Sequence, residues 1–494
     1  MTVTIEKTKD FEYAYTTTPS GARIITTQDV PPQELAMLQA LTSRSSDTFE
    51  GHISKVVKNG PQDFLERVVI GYGDDSVADC AAVPIFFERI SLLAAKAIQD
   101  NPLFAGIETS TRYLDMQRAP IVTENETDSE NAAWWQRFYS STLHRLIDEF
   151  SSKYKRPENV SEVVYENTIK AKAFDVARGF LPAGVCTNTT WFTNLRQFNE
   201  RLPYLLTHPL REVQTLGESA WALMKTRYPA LVKEMPSKEH LDAFAAMRAL
   251  AAGYIPEVSE RPICRAHAPQ GYDQAGAERI KRIAEECALI RKGKNKRVAI
   301  PREMGALMSV VMVGRIDFGG FRDLQRHRNR LPAMPLLTPM LGMHEYYLEH
   351  LLKHDRSTVQ HALLQQKNVW KSGFDSSHVV FDAQLTSGVS SVGAPLVGTP
   401  LEVRGVSTSE RAGMYARQYA LPIGLLVPHY AELPLDSYAH LVRLRSATDV
   451  HPTVREYVRF GYCSLGEAIR SLIPIKYGDP EISYGRGTQT VQVV

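Results

Sequence analysis

The feature that most constrains this chain is a pattern it carries twice. Ala177-Arg178-Gly179-Phe180-Leu181-Pro182-Ala183-Gly184 in the first half is matched by Ala416-Arg417-Gln418-Tyr419-Ala420-Leu421-Pro422-Ile423-Gly424 in the second. In each, Ala-Arg ends a helix-forming run and Leu-Pro then Gly closes it, because proline cannot continue a helix and glycine tolerates the backbone that follows. The two arginines lie 239 residues apart in a chain of 494. Self-similarity at that spacing predicts two tandem domains, residues 1–235 and 236–494. Their join is expected around residues 225–245, where TRYPALVKEMPSKEH holds two prolines and mixed charge.

Composition narrows the class. A hydrophobic content of 44% with 23% charged residues is that of a globular chain with real cores, not of a disordered or fibrous one. With 57 basic against 55 acidic residues, the net charge of +2 gives no global case for nucleic acid or an anionic membrane. The five cysteines (Cys80, Cys186, Cys264, Cys287, Cys463) are odd in number and scattered, which points away from a disulfide framework and towards a reducing compartment. The first residues lack the basic start and apolar core of a signal peptide. The longest apolar run, Met304 to Gly314, is shorter than the ~20 residues a bilayer span needs. A cytoplasmic protein with no membrane partner is expected.

Helical patterns dominate, so the expected class is α+β, helices packed on mixed sheets. Phe86–Ile98 reads as a helix stopped by Asn101-Pro102, Thr168–Leu181 as a helix closed by Pro182, and Ser437–Arg445 as a helix capped by Asp436. Residues 310–314, VVMVG, read as a strand. Thr123–Asn131 reads as an acidic surface loop. The basic run 291–297, RKGKNKR, is read as a solvated face rather than a nucleic-acid contact.

Three clusters carry possible chemistry. Arg322, Arg326 and Arg330 would share a helix face around Asp323, His327 and Arg328. Crowded guanidiniums invite an anion such as phosphate; the alternative is a surface helix with carboxylates nearby. In Glu108-Thr109-Ser110-Thr111-Arg112-Tyr113, extended backbone would project Ser110 and Arg112 to one side as a phosphate grip. Arg445 follows Tyr438, Leu441 and Val442 on one helical stripe, and Arg178 follows Phe174 and Ala177 on another. A buried guanidinium there requires an ion-pair partner or a ligand. Cys264-x-x-His267 has no second ligand pair, so no metal site is expected, and no P-loop, GxGxxG or GxSxG motif is present.

Together these segments resemble the flavin-dependent thymidylate synthase family. That family is marked by Arg-His-Arg, then Ser-x-Arg-Tyr, then Ala-Arg…Leu-Pro, Asn-x-Arg and a final Leu-x-x-Arg helix. The first half is similar from Gly73-Asp74-Asp75-Ser76-Val77 through Ile90-Ser91, Ser110-x-Arg112-Tyr113 and Ala177-Arg178 to Asn194-x-Arg196. It has Asp100-Asn101-Pro102 where Arg-His-Arg belongs and Leu205 where the late arginine belongs. The second half keeps Arg326-His327-Arg328 and Arg445 but has Leu336-Leu337-Thr338-Pro339 in place of Ser-x-Arg-Tyr. In the family, a homotetramer, each nucleotide site is shared between subunits, and the two halves here have kept complementary parts of one such site. The resemblance therefore implies a fused pseudo-dimer with one composite site, two such chains pairing as a homodimer.

Residue by residue, it implies that Ser110, Arg112, Arg178 and Arg326 bind the nucleotide. Arg326, His327, Arg328, Glu108, Asn194 and Arg196 would hold FAD, and Arg445 would act on the pyrimidine. The implied reaction is reductive C5-methylation of dUMP to dTMP with methylenetetrahydrofolate and NADPH. The alternatives are another pyrimidine nucleotide such as UMP, or a flavin- and nucleotide-binding protein without turnover. Asp74, Cys80 and Asp323 depart from the family pattern, and Asp323 replaces a nucleotide-contacting glutamine.

Overall fold

The computed structural model describes residues 3–7, 12–71, 73, 75–252, 261–267, 278, 282–283, 285–287, 289–290, 300–306, 308–328, 334–372, 413–473, 475 and 492–493. The chain is a mixture of helices and small, mostly antiparallel sheets. It divides into two compact units, one of residues 1–86, 190–207 and 214–241, the other of residues 87–189, 208–213 and 242–494. Asp74 and the basic run 291–297 lie outside the described residues.

In the smaller unit, strands β1 (Thr4–Lys7), β2 (Glu12–Thr17) and β3 (Arg23–Gln28) form an antiparallel meander. Tyr13 of β2 is buried with Met37, Leu38 and Leu41 of the helix Pro32–Arg44 and with Ile53 and Val56 of the helix Phe49–Asn59. Asn194 starts the helix Leu195–Leu206, its Oδ1 accepting from Gln197 N at 2.8 Å.

Strands β4 (Ala82–Ser91) and β6 (Cys186–Asn194) pair with each other. Residues 86–91 therefore belong to a strand, not to the helix the sequence suggested. Val83, Ile85 and Phe87 alternate with exposed Pro84, Phe86 and Glu88, which is the period of a strand. The helix begins only at Leu92 and runs to Gln99, capped by Ser91 Oγ, which accepts from Ala94 N at 2.9 Å. The alternation slips at Glu88 and Arg89, both exposed, where Arg89 takes a φ of 57°, the mark of one extra residue in the strand.

The larger unit holds a three-stranded antiparallel sheet. Strand β8 (Ser309–Asp317), which contains the expected VVMVG strand, lies between β7 (Ile263–His267) and β9 (Leu426–Pro434). A short parallel pair joins β5 (Leu114–Asp115) to β10 (Gln492–Val493). Strand β8 passes directly into the helix Phe318–Leu324, with Asp317 accepting from Gly320 N at 2.7 Å as its cap. Ser91 and Asp317 thus play one part 226 residues apart. Strand β9 passes into the helix Leu435–Arg445, whose N-cap is Pro434. Asp436, the expected cap, lies inside the first turn and makes no capping bond. The acidic stretch expected to be a loop instead starts the helix Glu126–Lys153. Asn125 caps it, and Glu126 and Asp128 sit at the positive end of its dipole.

The two Leu-Pro segments meet at the centre of this unit. Ala183 N donates to Leu421 O (2.8 Å) and Ile423 N to Leu181 O (2.9 Å), while Gly184 N donates to Tyr419 O (2.8 Å) and Gly424 N to Gly179 O (2.7 Å). Each bond has its counterpart 240 residues away, so the contact has local two-fold symmetry. It needs glycine: a Cβ on Gly424 would stand 2.6 Å from Gly179 O.

Candidate functional site

Around that contact the larger unit gathers charged side chains from sequence positions more than 300 residues apart. The helix Glu162–Ala177 carries Asp175 and leads into the 3-10 turn Arg178–Phe180. Phe174, Ala177, Arg178 and Leu181 are all buried, as the stripe predicts. Arg112 Nε donates to Asp175 Oδ1 at 2.8 Å and Nη2 to Asp175 Oδ2 at 3.2 Å, a two-pronged grip, and Nη2 also reaches Asp449 O at 3.2 Å. His451, fully buried, accepts or donates at both ring nitrogens, to Thr453 Oγ1 (2.9 Å) and Asp175 O (2.8 Å). Burial first, and the Arg178 charge next, push its pKa down to about 3, so it is neutral.

Residues 110–113 form a turn, not the extended stretch expected. Tyr113 N and Leu114 N both donate to Ser110 O, and Ser110 Oγ accepts from Arg112 N at 3.3 Å. The hydroxyl competes for local backbone donors and closes the turn, as serine commonly does. That turn is what aims Arg112 at Asp175.

The arginine cluster also differs from the helix face first drawn. The helix Phe318–Leu324 ends before Arg326, so Arg322 is buried while Arg326 and Arg328 are exposed; Arg330 lies outside the described residues. Arg322 Nη2 donates to Glu108 Oε1 at 2.6 Å and Nη1 to Thr111 Oγ1 at 3.1 Å. Glu108 Oε2 meets Lys96 Nζ at 2.5 Å and accepts from Gln99 Nε2 at 3.0 Å. Burial acts to raise the Glu108 carboxyl, but Arg322 and Lys96 overcome it and hold it down to about 2. Lys96, with no exposed surface, is pushed down to about 8 by burial, against the pull of Glu108. Glu108 is thus an internal anchor between two cations.

His327 is buried and accepts at Nε2 from Arg445 Nε at 2.9 Å, which makes it a neutral ring with its proton on Nδ1. Arg445 sits at the rim of the stripe formed by Tyr438, Leu441 and Val442. The Arg328 guanidinium lies 5.7 Å from the Phe104 ring centre. Asp323, 9% exposed, lies 3.7 Å from Arg178, itself 2% exposed. Burial alone would raise the Asp323 carboxyl, yet Arg178, Arg112, Arg445 and Arg326 hold it well below the usual carboxylate range. Among the described residues, Arg178 Nε and Nη2 and Asp323 Oδ2 have no hydrogen-bond partner. With Arg112 taken by Asp175 and Arg322 by Glu108, Arg178, Arg445 and Arg326 all act on Asp323, while Asp317 also acts on Arg178 and Asp449 on Arg445.

Of the site residues expected from sequence, Ser110, Arg112, Arg178, Glu108, Arg326, His327, Arg328 and Arg445 all belong to the larger unit. Asn194 and Arg196 belong to the smaller one. There Arg196 pairs with Asp79 (2.8 Å) and Glu200 (2.9 Å). Sequence reasoning missed Asp175, Lys96 and His451. Asp175 was detectable, three residues before Arg178 in the last turn of the preceding helix; buried Lys96 and His451 carry no local signal.

Comparison with known proteins bears on this arrangement. Residues 23–230 match the model of a family described as thymidylate synthase complementing protein. Over those residues the chain is similar to that family. It is also similar to a UPF0159 protein of Chlamydia muridarum, 27% identical over 57% of this chain and 62% of the relative. UPF0159 proteins of Thermoplasma acidophilum (24% identical, 65% of this chain and 77% of the relative) and Chlamydia pneumoniae (26%, 60% and 63%) are similar as well. The chain therefore spans under two thirds of the length of both chlamydial relatives. The family segment contains Arg112 and Arg178 but ends before Asp323, His327 and Arg445. Among the described residues no helix is long and apolar enough to cross a membrane.

Proposed function

We propose that this chain is a flavin-dependent thymidylate synthase-like enzyme: a fused pseudo-dimer that methylates C5 of a uridylate at one composite site. The observation that carries the reading is the buried Arg178 guanidinium. Its Nε and Nη2 lack hydrogen-bond partners among the described residues, and Asp323, 3.7 Å from it, is shared with Arg445 and Arg326 from the other half. An unsatisfied buried guanidinium is costly, and a ligand that accepts hydrogen bonds from it is the compensation. The sequence similarity to the family and the 240-residue symmetry of the Leu-Pro contact support the fused-repeat part of the reading.

In this reading Arg112, fixed by Asp175 and the Ser110 turn, and Arg178 attract and orient the nucleotide, with Arg326 adding charge from the exposed side. Arg445, held by neutral His327, stabilises the negative charge that develops along the pyrimidine N3–C4 edge as C5 becomes nucleophilic. Exposed Arg326 and Arg328 beside buried His327 suit a phosphate-bearing cofactor, and these three would hold FAD. Reduced flavin, when bound, supplies the hydride, with NADPH as its reductant and methylenetetrahydrofolate as the one-carbon donor. Two chains would pair as a homodimer.

The test is the visible spectrum of the purified full chain, reconstituted with FAD and titrated anaerobically with dUMP and with UMP. Flavin bands at one per chain, perturbed by a nucleotide, are expected. Two flavins per chain would mean that both halves retain a site, and no flavin after reconstitution would end the enzyme reading.

A further inference from the structure

The unpartnered atoms at the centre of the site are not all of one kind. Asp323 Oδ2 can only accept a hydrogen bond; Arg178 Nε and Nη2 can only donate. The two residues are both more than nine-tenths buried, and Nη2 stands 3.7 Å from Oδ2, beyond hydrogen-bond reach. Gly319 borders the same edge: a Cβ there would come within 3.6 Å of Arg178 Nη2.

Ligand groups can be sorted by what they do at such a pair. A phosphate oxygen satisfies Arg178 but is repelled by the Asp323 carboxylate. An ammonium satisfies Asp323 but is repelled by Arg178, Arg112 and Arg445. A hydroxyl donates to Asp323 Oδ2 and accepts from one Arg178 N–H. It leaves the other Arg178 nitrogen open, and an adjacent hydroxyl accepts from that. The set of one acceptor oxygen and two donor nitrogens thus matches two neighbouring hydroxyls. On a uridylate such a pair occurs only on ribose, at the 2′ and 3′ positions.

We infer that Asp323 and Arg178 read the ribose diol, so that the chain takes uridine 5′-monophosphate in preference to its 2′-deoxy form. This rests on the nucleotide-binding reading above. Asp323 is a specificity-determining residue: it accepts the hydroxyl proton that the deoxy sugar cannot offer. A site built to bond a hydroxyl rejects the analogue lacking it because its own buried groups are left unpaired.

Calorimetric titration of the full chain with UMP, dUMP and 2′-O-methyl-UMP tests this. UMP should bind at least about tenfold more tightly than dUMP. The 2′-O-methyl form, which keeps the oxygen but not the proton, should resemble dUMP. The Asp323→Ala variant, with unchanged circular dichroism, should lose the preference. Equal binding of UMP and dUMP would overturn the inference and leave the nucleotide site standing. A preference that survives in folded Asp323→Ala would overturn the role given to Asp323. Failure of all three ligands to bind would instead overturn the nucleotide reading itself. Should Asp323→Ala not fold, the three wild-type affinities decide the matter alone.

Discussion

Replacing Glu108 by glutamine probes the internal anchor that fixes Arg322 and the 108–113 turn. The carboxylate is 6% exposed and serves Lys96, with no exposed surface, and Arg322, 6% exposed. Removing one partner of a buried ion pair costs about 3–5 kcal/mol, because the partner left behind stays buried and charged. Here two cations lose one anion, so the upper part of that range is expected, against a total stability of about 5–15 kcal/mol. Urea unfolding followed by tryptophan fluorescence measures the change. Glu108 is held down to about 2 from an ordinary 4.5. Its contribution is therefore complete above pH 4.5 and is lost as pH falls from there towards 2. The wild type should show that acid limb and Glu108→Gln should not. A Glu108→Gln protein within about 1 kcal/mol of wild type, with the same acid limb, would refute the anchor.

Two further predictions follow from neighbouring contacts. His451 is held at about 3 against an ordinary 6.5, so the unfolded chain binds the proton more readily. Stability should be full above pH 6.5 and fall as the solution is acidified from there; His451→Gln should flatten that limb and cost about 1–3 kcal/mol through its lost bonds, as read by thermal unfolding across pH. Gly424→Ala should destabilise by about 1–3 kcal/mol because its Cβ would meet the Gly179 carbonyl, whereas Gly466→Ala, with open space around it, should be near neutral in the same assay.

Much of the site's content was legible in the sequence, and much of its geometry was not. The buried arginine stripe at Phe174, Ala177 and Arg178 could be read because a helix repeats at 3.6 residues and arginine on an apolar face needs a partner. The partner, Asp323, comes from 145 residues further on, and no local pattern reports such a pairing. Phe86–Ile98 misled because short apolar runs suit a strand and a helix equally, and only the boundary at Ser91 separates them. The Ser110 turn was hidden for a related reason: a serine that bonds a backbone N–H two residues on overrides an extended reading. Arg322 was grouped with Arg326 by spacing, but the helix ends at Leu324 and sends one inward and the other outward.

The central claim is that one nucleotide site is assembled from both halves while its symmetry-related counterpart is not. Arg178 and Arg417 occupy equivalent places in the repeated pattern, yet Arg178 is buried beside Asp323 and Arg417 donates to Val369 O at 2.7 Å. Calorimetry of uridylate binding to the wild type, Arg178→Ala, Arg445→Ala and Arg417→Ala compares them directly. One nucleotide per chain is predicted, with affinity lowered at least about tenfold by either Arg178→Ala or Arg445→Ala and unchanged by Arg417→Ala. Two nucleotides per chain, or equal losses from Arg178→Ala and Arg417→Ala, would contradict a single composite site.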